Sequence, residues 1–430
     1  MIKQENIDRI ISDVSIRDVA IDEGLTFSKE RGGKLWACCP FHKENTPSFF
    51  VDTGTNTWKC YGGCHSGGNV ISLYRKLKND LPFPIACKEL AKKYLNEDIE
   101  DDYKPSKEDE EKQKEKESLQ IILSYAQEFY VQCIHEVNPA ANKARETVRK
   151  RWGADAIERF GIGYAPRHGF IEWAMRKGLD FDLLEQVGLI GIGERGKYAM
   201  LRDRYTIPIY DKMSNVIGFT ARTMSDDKDI CKYLNLKNSL VYAKDKSVFG
   251  INFAQKEARL KNKFYLVEGA PDVVKLQSLE ILNTVASLGG AWTENQLKQL
   301  YHISHTVTFI PDADTLKPGN EWPAGTANVF ANGREALAAG FTVNVREIPI
   351  DYPAPKKEDP DSWIVDKAHF QQMKEEEFIY WFCRRRYWPT ADDIEQMTTE
   401  DRLKAIADIC SLLMMIRDED LRTIYLTGLC

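Results

Sequence analysis

The sequence predicts a multidomain protein of mixed α+β and α/β class, and three observations carry that prediction. Residues 38 to 69, "CCPFHKENTPSFFVDTGTNTWKCYGGCHSGGN", set cysteines and histidines among short aromatic-rich strand patterns with Gly, Pro, Asn and Thr turns. Residues 99 to 118, "IEDDYKPSKEDEEKQKEKES", have no apolar periodicity and divide that stretch from the rest. From Lys261 onward strand, turn and helix patterns alternate, as expected of a parallel sheet covered by helices. A chain of 430 residues, 43% hydrophobic and 29% charged, can supply real cores to about two to four domains. The expected parts are a small β module at 1–98, a charged linker or exposed helical spacer at 99–118, a mixed region at 119–260, a parallel-sheet α/β part at 261–370 and a helical part at 371–430.

The elements follow in order. "MIKQENIDRIISDV" alternates charge and aliphatic residues at helical spacing, with no unbroken apolar core, so it reads as neither a signal peptide nor a spanning helix. No membrane partner is expected, and the cytoplasm is the natural compartment. "LTFSKERGGKLWACCPFH" and "PSFFVDTGTNTWKCYGG" read as strands, "NVISLYRKL" and "FPIACKELAKKYL" as helices. "LQIILSYAQEFYVQCIHE" is an amphipathic helix, and "RYTIPIYDKMSNVIGFTAR" is a pair of strands with a turn at "SN". The sheet strands are "FYLVEG", "NTVASLGG", "TVTFIPDAD" and "TVNVREIP", and "EDRLKAIADICSLLMMI" and "LRTIYLTGL" suit a small bundle. A net charge of -6 leaves nucleic-acid binding open, because binding follows the local field.

Ten cysteines are too sparse for a disulfide scaffold, and four of them cluster between Cys38 and Cys64, which favours a metal site in a reducing compartment. Cys39 and His42 lie three apart and Cys60 and Cys64 four apart, spacings that let ligands converge on a tetrahedral zinc ion. Such a small module has little core of its own, whereas structural zinc contributes about 10 to 16 kcal/mol in small peptides. Cys38 could replace Cys39, and His65 could compete with Cys64, although Cys38 points to the opposite side of an extended strand from Cys39. Cys87, Cys133, Cys231, Cys383, Cys410 and Cys430 are isolated and read as small hydrophobes.

A second constellation is acidic. Glu268 ends the apolar strand "FYLV", and Asp312 and Asp314 follow "VTFI". In a parallel sheet both lie at the carboxyl edge, where ligands bind at the switch in strand order. Carboxylates so gathered repel unless a cation neutralises them, and hard oxygen ligands suit Mg²⁺ or Mn²⁺. Asp359 and Asp361 in "KEDPDSW" follow the next strand and could complete the site.

The Cys-Pro-x-His, "TPSF" and cysteine-pair-with-"GG" pattern resembles the zinc-binding, zinc-ribbon module of bacterial DnaG-type primases. "VEGAPDVVKL", "VASLGGAWTENQLKQL", "PDADT" and "EDPD" resemble, in order, the Toprim domain of the same family, which is also found in topoisomerases and some nucleases. "RKRWGADAIERFGIGYAP", "LRDRYTIPIYDKMSNVIGFTAR" and "KYLNLKNSLVYAKDKSVFGI" look like the basic subdomain that precedes Toprim in primases, and the helical tail looks like the end of the primase core. Three departures stand out. "CYGGC" carries one extra residue between its cysteines, "LKPGNEWP" is inserted after "DADT", and the chain stops at Cys430 where the family usually continues into a helicase-binding domain.

The resemblance implies a DNA primase, a DNA-directed RNA polymerase joining ribonucleoside triphosphates into an RNA primer on a single-stranded DNA template. It implies Glu268 and Asp312 for metal or acid/base work, Asp314, Asp359 and Asp361 for further metal and triphosphate, and Arg151, Lys232 and Lys244 beside nucleotide and primer. It further implies structural Zn²⁺, catalytic Mg²⁺ or Mn²⁺, a monomer, and priming without docking on the replicative helicase. A Toprim nuclease and a catalytically idle nucleic-acid-binding protein are the alternatives. The nuclease shares the acidic site, and the insertion near Asp314 keeps the idle protein open.

Overall fold

A computed structural model describes residues 2–42, 44, 46–62, 64, 66–78, 81–99, 107–194, 196–225, 227, 229–301, 303–387, 397–416 and 419–429. His65, Cys430 and positions 100–106 of the expected linker lie outside the described residues. The chain forms two compact units, residues 1–112 and 113–430. Among the described residues, no helix is long and apolar enough to cross a membrane.

The first unit is an antiparallel sheet in sequential order: β1 (Lys29–Arg31), β2 (Lys34–Ala37), β3 (Phe49–Asp52), β4 (Thr57–Cys60) and β5 (Gly67–Asn69). Helices Gln4–Asp13 and Ile16–Asp22 precede it, and helices Val70–Leu77 and Phe83–Leu90 follow. The turn between β3 and β4 locks onto the first helices through Asn56. Its backbone is left-handed at φ 54°, its Nδ2 donates to the Ile11 and Val14 carbonyls at 2.7 and 2.8 Å, and its Oδ1 accepts from Ile16 N–H at 2.8 Å. Phe49, Val51 and Trp58 then bury against Ile10, Val19, Val70 and Leu73 as one core.

Helix Lys107–His135 starts within the last residues of the first unit, and its part in the second unit buries Leu119, Leu123, Ala126, Tyr130 and Cys133 at spacings of three and four. Residues 107–118 are therefore helical, as the spacer reading had it, and not an irregular linker. A second antiparallel sheet has the order β11-β10-β9-β6, from β6 (Gly163–Ala165), β9 (Arg204–Tyr210), β10 (Val216–Thr223) and β11 (Tyr233–Asn235). A ribbon of β7 (Ile190–Gly193) and β8 (Gly196–Ala199) sits apart from it. The expected turn joins β9 to β10: Asp211 Oδ1 accepts from Met213 N–H and Asn215 N–H, both at 2.9 Å, and Ser214 is left-handed at φ 67°.

The third sheet has the order β13-β12-β14-β15-β16, from β12 (Phe264–Val267), β13 (Thr284–Ala286), β14 (Thr306–Phe309), β15 (Thr342–Arg346) and β16 (Glu375–Glu377). The four expected strands are parallel, and β16 joins as an antiparallel edge from beyond the boundary expected at residue 370. Packing joins the parts on either side of the two further boundaries. Phe264, Leu266, Val307 and Val343 share a core with Trp381, Phe382, Leu412 and Tyr425 of the C-terminal helices. Val267, Val273 and Ile310 share another with Ile207, Phe219 and Tyr130. The three parts expected between 119 and 430 are subdomains of one body. Of the isolated cysteines, Cys87, Cys133 and Cys383 are buried as small hydrophobes, whereas Cys231 and Cys410 are exposed and have no such packing role.

Candidate functional site

In the first unit, Cys39, His42, Cys60 and Cys64 bring one ligand atom each to within 4.8 Å of one another. Cys39 Sγ lies 3.5 Å from Cys64 Sγ, and His42 Nδ1 lies 4.0 Å from Cys60 Sγ. Three sulfurs and an imidazole converging this tightly are the donor set of a closed zinc site. Cys39 is buried and Cys38 exposed, so the sheet turns Cys39 inward. The sequence reading missed Glu44. Its Oε2 meets His42 Nε2 at 2.9 Å, which turns Nδ1 toward the sulfurs, while its Oε1 accepts from Cys39 N–H at 2.6 Å and Ser48 N–H at 3.2 Å. Burial would raise the Glu44 carboxyl, but bonds from Ser48, Cys39 and His42 outweigh it and hold the group down at about 2. Gly62 completes the wall by having no side chain: a Cβ there would stand 2.3 Å from Ser48 Oγ and 2.7 Å from His42 Nε2.

In the second unit, β12 has neighbours reached by connections to opposite sides, β13 on one and β14 on the other. That reversal makes a crevice at the carboxyl ends of β12 and β14, and Glu268 and Asp312 are the residues that follow them. Glu268, Asp312 and Asp314 bring a carboxylate oxygen each to within 4.8 Å of one another. Asp314 Oδ2 accepts from Gly325 N–H at 2.9 Å at the start of helix Ala324–Ala338, and Glu268 Oε1 accepts from Asn328 Nδ2 at 3.4 Å. Asp312 Oδ1 is buried and has no hydrogen-bond partner among the described residues. Burial, reinforced by Glu268, pushes the Asp312 carboxyl up to about 7, and burial, with Asp314 adding to it, raises Glu268. A divalent cation would relieve this crowding of hard oxygens and fill the orphaned lone pair, so the residues fit one.

Asp359 and Asp361 are not drawn into that cluster. Asp359 caps helix Pro360–Trp363, accepting from Ser362 N–H at 2.7 Å. Both oxygens of Asp361 are engaged, Oδ2 by Arg151 Nε at 2.5 Å and Oδ1 by Trp152 Nε1 at 2.6 Å. Asp361 is thus a partner of Arg151 here. Asp272, four residues past Glu268, also escaped the sequence reading. Nearly fully buried, it accepts from Gly269 N–H and Asp361 N–H, both at 3.1 Å, and burial, with Asp312, Asp359 and Asp361 nearby, raises its carboxyl well above the ordinary range. Asp272 is the third residue of helix Ala270–Ser278, and an acid three past the capping Gly269 was the available signal.

Glu268, Asp312, Asp272 and Asp359 line a cleft of about 390 Å³ that Arg151, Lys232 and Lys244 line as well. All three expected cations therefore reach the crevice that holds the acids. The inserted segment is anchored away from the cleft by Trp322, whose ring meets Phe330 edge-on at 5.3 Å.

A converging Cys₃His module and an acidic crevice shared with basic side chains define the class: a multidomain protein with a zinc-finger unit and an α/β core that carries an acidic cluster. Residues 2–107 match the CHC2 zinc finger family, and residues 130–255 match the family described as DNA primase catalytic core, N-terminal domain. The chain belongs to the DnaG-type primase family. It is 33% identical to the DNA primase of Pseudomonas putida over 377 residues, 85% of this chain and 53% of that protein. It is 29% identical to the DNA primase of Clostridium acetobutylicum, over 90% of this chain and 61% of that one. The chain thus spans little more than half the length of the curated relatives it matches. Its fold is similar to the zinc-binding and RNA polymerase domains of the Aquifex aeolicus primase, with a TM-score of 0.57, 26% identity, and coverage of 97% of this chain and 94% of that one. A DnaG primase catalytic domain bound to single-stranded DNA matches 73% of this chain and 97% of its own, with a TM-score of 0.59 and 26% identity.

Proposed function

We propose that this protein synthesises short RNA primers on single-stranded DNA, extending a ribonucleotide 3′-hydroxyl at the α-phosphate of the next triphosphate with release of pyrophosphate. The carrying observation is the acidic cluster at the strand-order switch, in which Asp312, its buried Oδ1 unpartnered among the described residues, lines the same cleft as Lys232 and Lys244. Mg²⁺ or Mn²⁺ held by Glu268, Asp312 and Asp314 would lower the pKa of the attacking hydroxyl and neutralise charge on the attacked phosphate. Lys232 and Lys244 bind and orient the triphosphate or the primer backbone within the cleft. Arg151, held by Asp361, lines the same cleft, as does Asp359, which caps helix Pro360–Trp363. Zn²⁺ on Cys39, His42, Cys60 and Cys64 is structural. In that unit exposed Tyr61 packs tilted against buried Phe50 at 5.7 Å, with Lys59 over Tyr61 and Lys34 over Phe50, which leaves Tyr61 for a template base and the lysines for phosphates. A monomer acting in the cytoplasm accords with this reading. The test is ribonucleotide incorporation on bare single-stranded DNA with Mg²⁺ or Mn²⁺. Wild type should make primers, and Asp312→Asn should lose synthesis by orders of magnitude while still binding the template. Template cleavage instead of synthesis would favour a nuclease, and undiminished synthesis by Asp312→Asn would remove the acidic cluster from the reaction.

A further inference from the structure

Lys357 was assigned no task by the sequence, yet its ammonium lies between the two aspartates of the acidic cluster, 2.8 Å from Asp312 Oδ2 and 2.7 Å from Asp314 Oδ1. Its backbone is held there. Glu358, the next residue, forms an antiparallel bridge with Ala313, which lies between the two aspartates, through Ala313 N–H to Glu358 O at 2.8 Å and Glu358 N–H to Ala313 O at 3.0 Å. The base of the side chain is thus fixed against the cluster while the side chain itself is 55% exposed, open to swing outward. With Asp314 Oδ2 taken by Gly325 N–H, the ammonium holds the other Asp314 oxygen and Asp312 Oδ2, so that a divalent ion drawn to Asp312 Oδ1, unbonded among the described residues, would lie beside it. Mg²⁺ needs such oxygens at about 2.0 to 2.1 Å, and an ammonium cannot share them with a divalent ion without strong like-charge repulsion.

We propose that Lys357 is an internal cation that holds Asp312 and Asp314 in place and must leave them when a divalent ion binds, so that it sets the metal concentration at which the site fills. This rests on the reading of Glu268, Asp312 and Asp314 as a divalent site. Lys357 is on this account a positioning residue: it keeps two close carboxylates from springing apart before metal arrives, and its departure is part of the cost of metal binding. Removing the competing charge should therefore tighten metal binding about tenfold or more.

The experiment is a Mn²⁺ titration of the zinc-loaded full chain, with free aqueous Mn²⁺ read by its paramagnetic resonance signal and no nucleotide present. Lys357→Met should bind Mn²⁺ about tenfold or more tightly than wild type, and Lys357→Arg, which keeps the charge, should stay within about threefold of it. Lys357→Gln, neutral and of similar reach, should follow Lys357→Met and serves if the methionine variant does not fold. Equal or weaker Mn²⁺ affinity in the folded neutral variants overturns the competition. Adding Asp312→Asn to Lys357→Met separates the two readings. If tight uptake is lost, the divalent site stands whatever Lys357 does, and if uptake persists the site reading falls and the role of Lys357 with it.

Discussion

Arg151 is four-fifths buried, its guanidinium bonded to Asp361 and within 3.0 and 3.3 Å of the Tyr205 and Tyr233 hydroxyls. Breaking such a pair leaves an uncompensated buried carboxylate, which costs about 3 to 5 kcal/mol. Arg151→Met should therefore lower the urea midpoint strongly, with the loss of priming following from the loss of structure. Lys232 and Lys244 face the cleft, and their replacement by methionine should leave stability within about 0.5 kcal/mol while weakening nucleotide binding. A wild-type urea midpoint for Arg151→Met would return that residue to a substrate role. Three residues that look alike in sequence divide this way because burial and partners, 210 positions apart in the case of Arg151 and Asp361, are fixed only by the fold.

At the scale of elements, helix Ala324–Ala338 can approach Asp312 only because its second residue is glycine: a Cβ on Gly325 would stand 2.2 Å from the Asp312 carbonyl oxygen. That neighbour is backbone at the end of β14 and cannot rotate away. Gly325→Ala should push the helix start outward, cost about 1 to 3 kcal/mol and impair Mn²⁺ uptake, since Gly325 N–H also holds Asp314. Denaturation and the metal titration on one preparation check both, and unchanged Mn²⁺ affinity would mean the Asp312–Asp314 loop tolerates the shift. The parallel strands were legible in sequence because strands covered on both faces are continuous apolar runs, as "FYLV" and "TVTF" are. β16 was not, since its sequence is Glu-Glu-Glu. It pairs because Lys263, 112 positions away, neutralises Glu375 at 2.6 Å and Arg384, on the helix that follows, neutralises Glu376 at 2.7 Å. The same limit hid Lys357. Its place between Asp312 and Asp314 comes from a single bridge between two loops, which leaves no periodicity to read.

For the whole molecule, the decisive fact is that the two units keep separate cores. Zinc ligands Cys39 and Cys60 belong to the core of the first, where Phe41 and Phe49 meet Trp58 at 5.4 and 5.5 Å, so the metal staples the packing itself. The purified chain should carry about one zinc, a four-ligand structural site being closed. Cys60→Ser leaves three donors, and Sγ of Cys60 is also the acceptor of Gly62 N–H at 3.3 Å, so the loop between β4 and Cys64 should lose its anchor along with the ion. Because structural zinc contributes about 10 kcal/mol or more, comparable to a whole domain's net stability, the first unit should melt at a much lower temperature or not fold. The second unit shares none of that core and should keep its transition. Calorimetry of wild type and Cys60→Ser, with zinc content measured on each, should then show one transition lost or lowered and the other unmoved. Undiminished zinc in Cys60→Ser would reject the ligand assignment. Loss of zinc with both transitions moving together would mean that the units unfold as one.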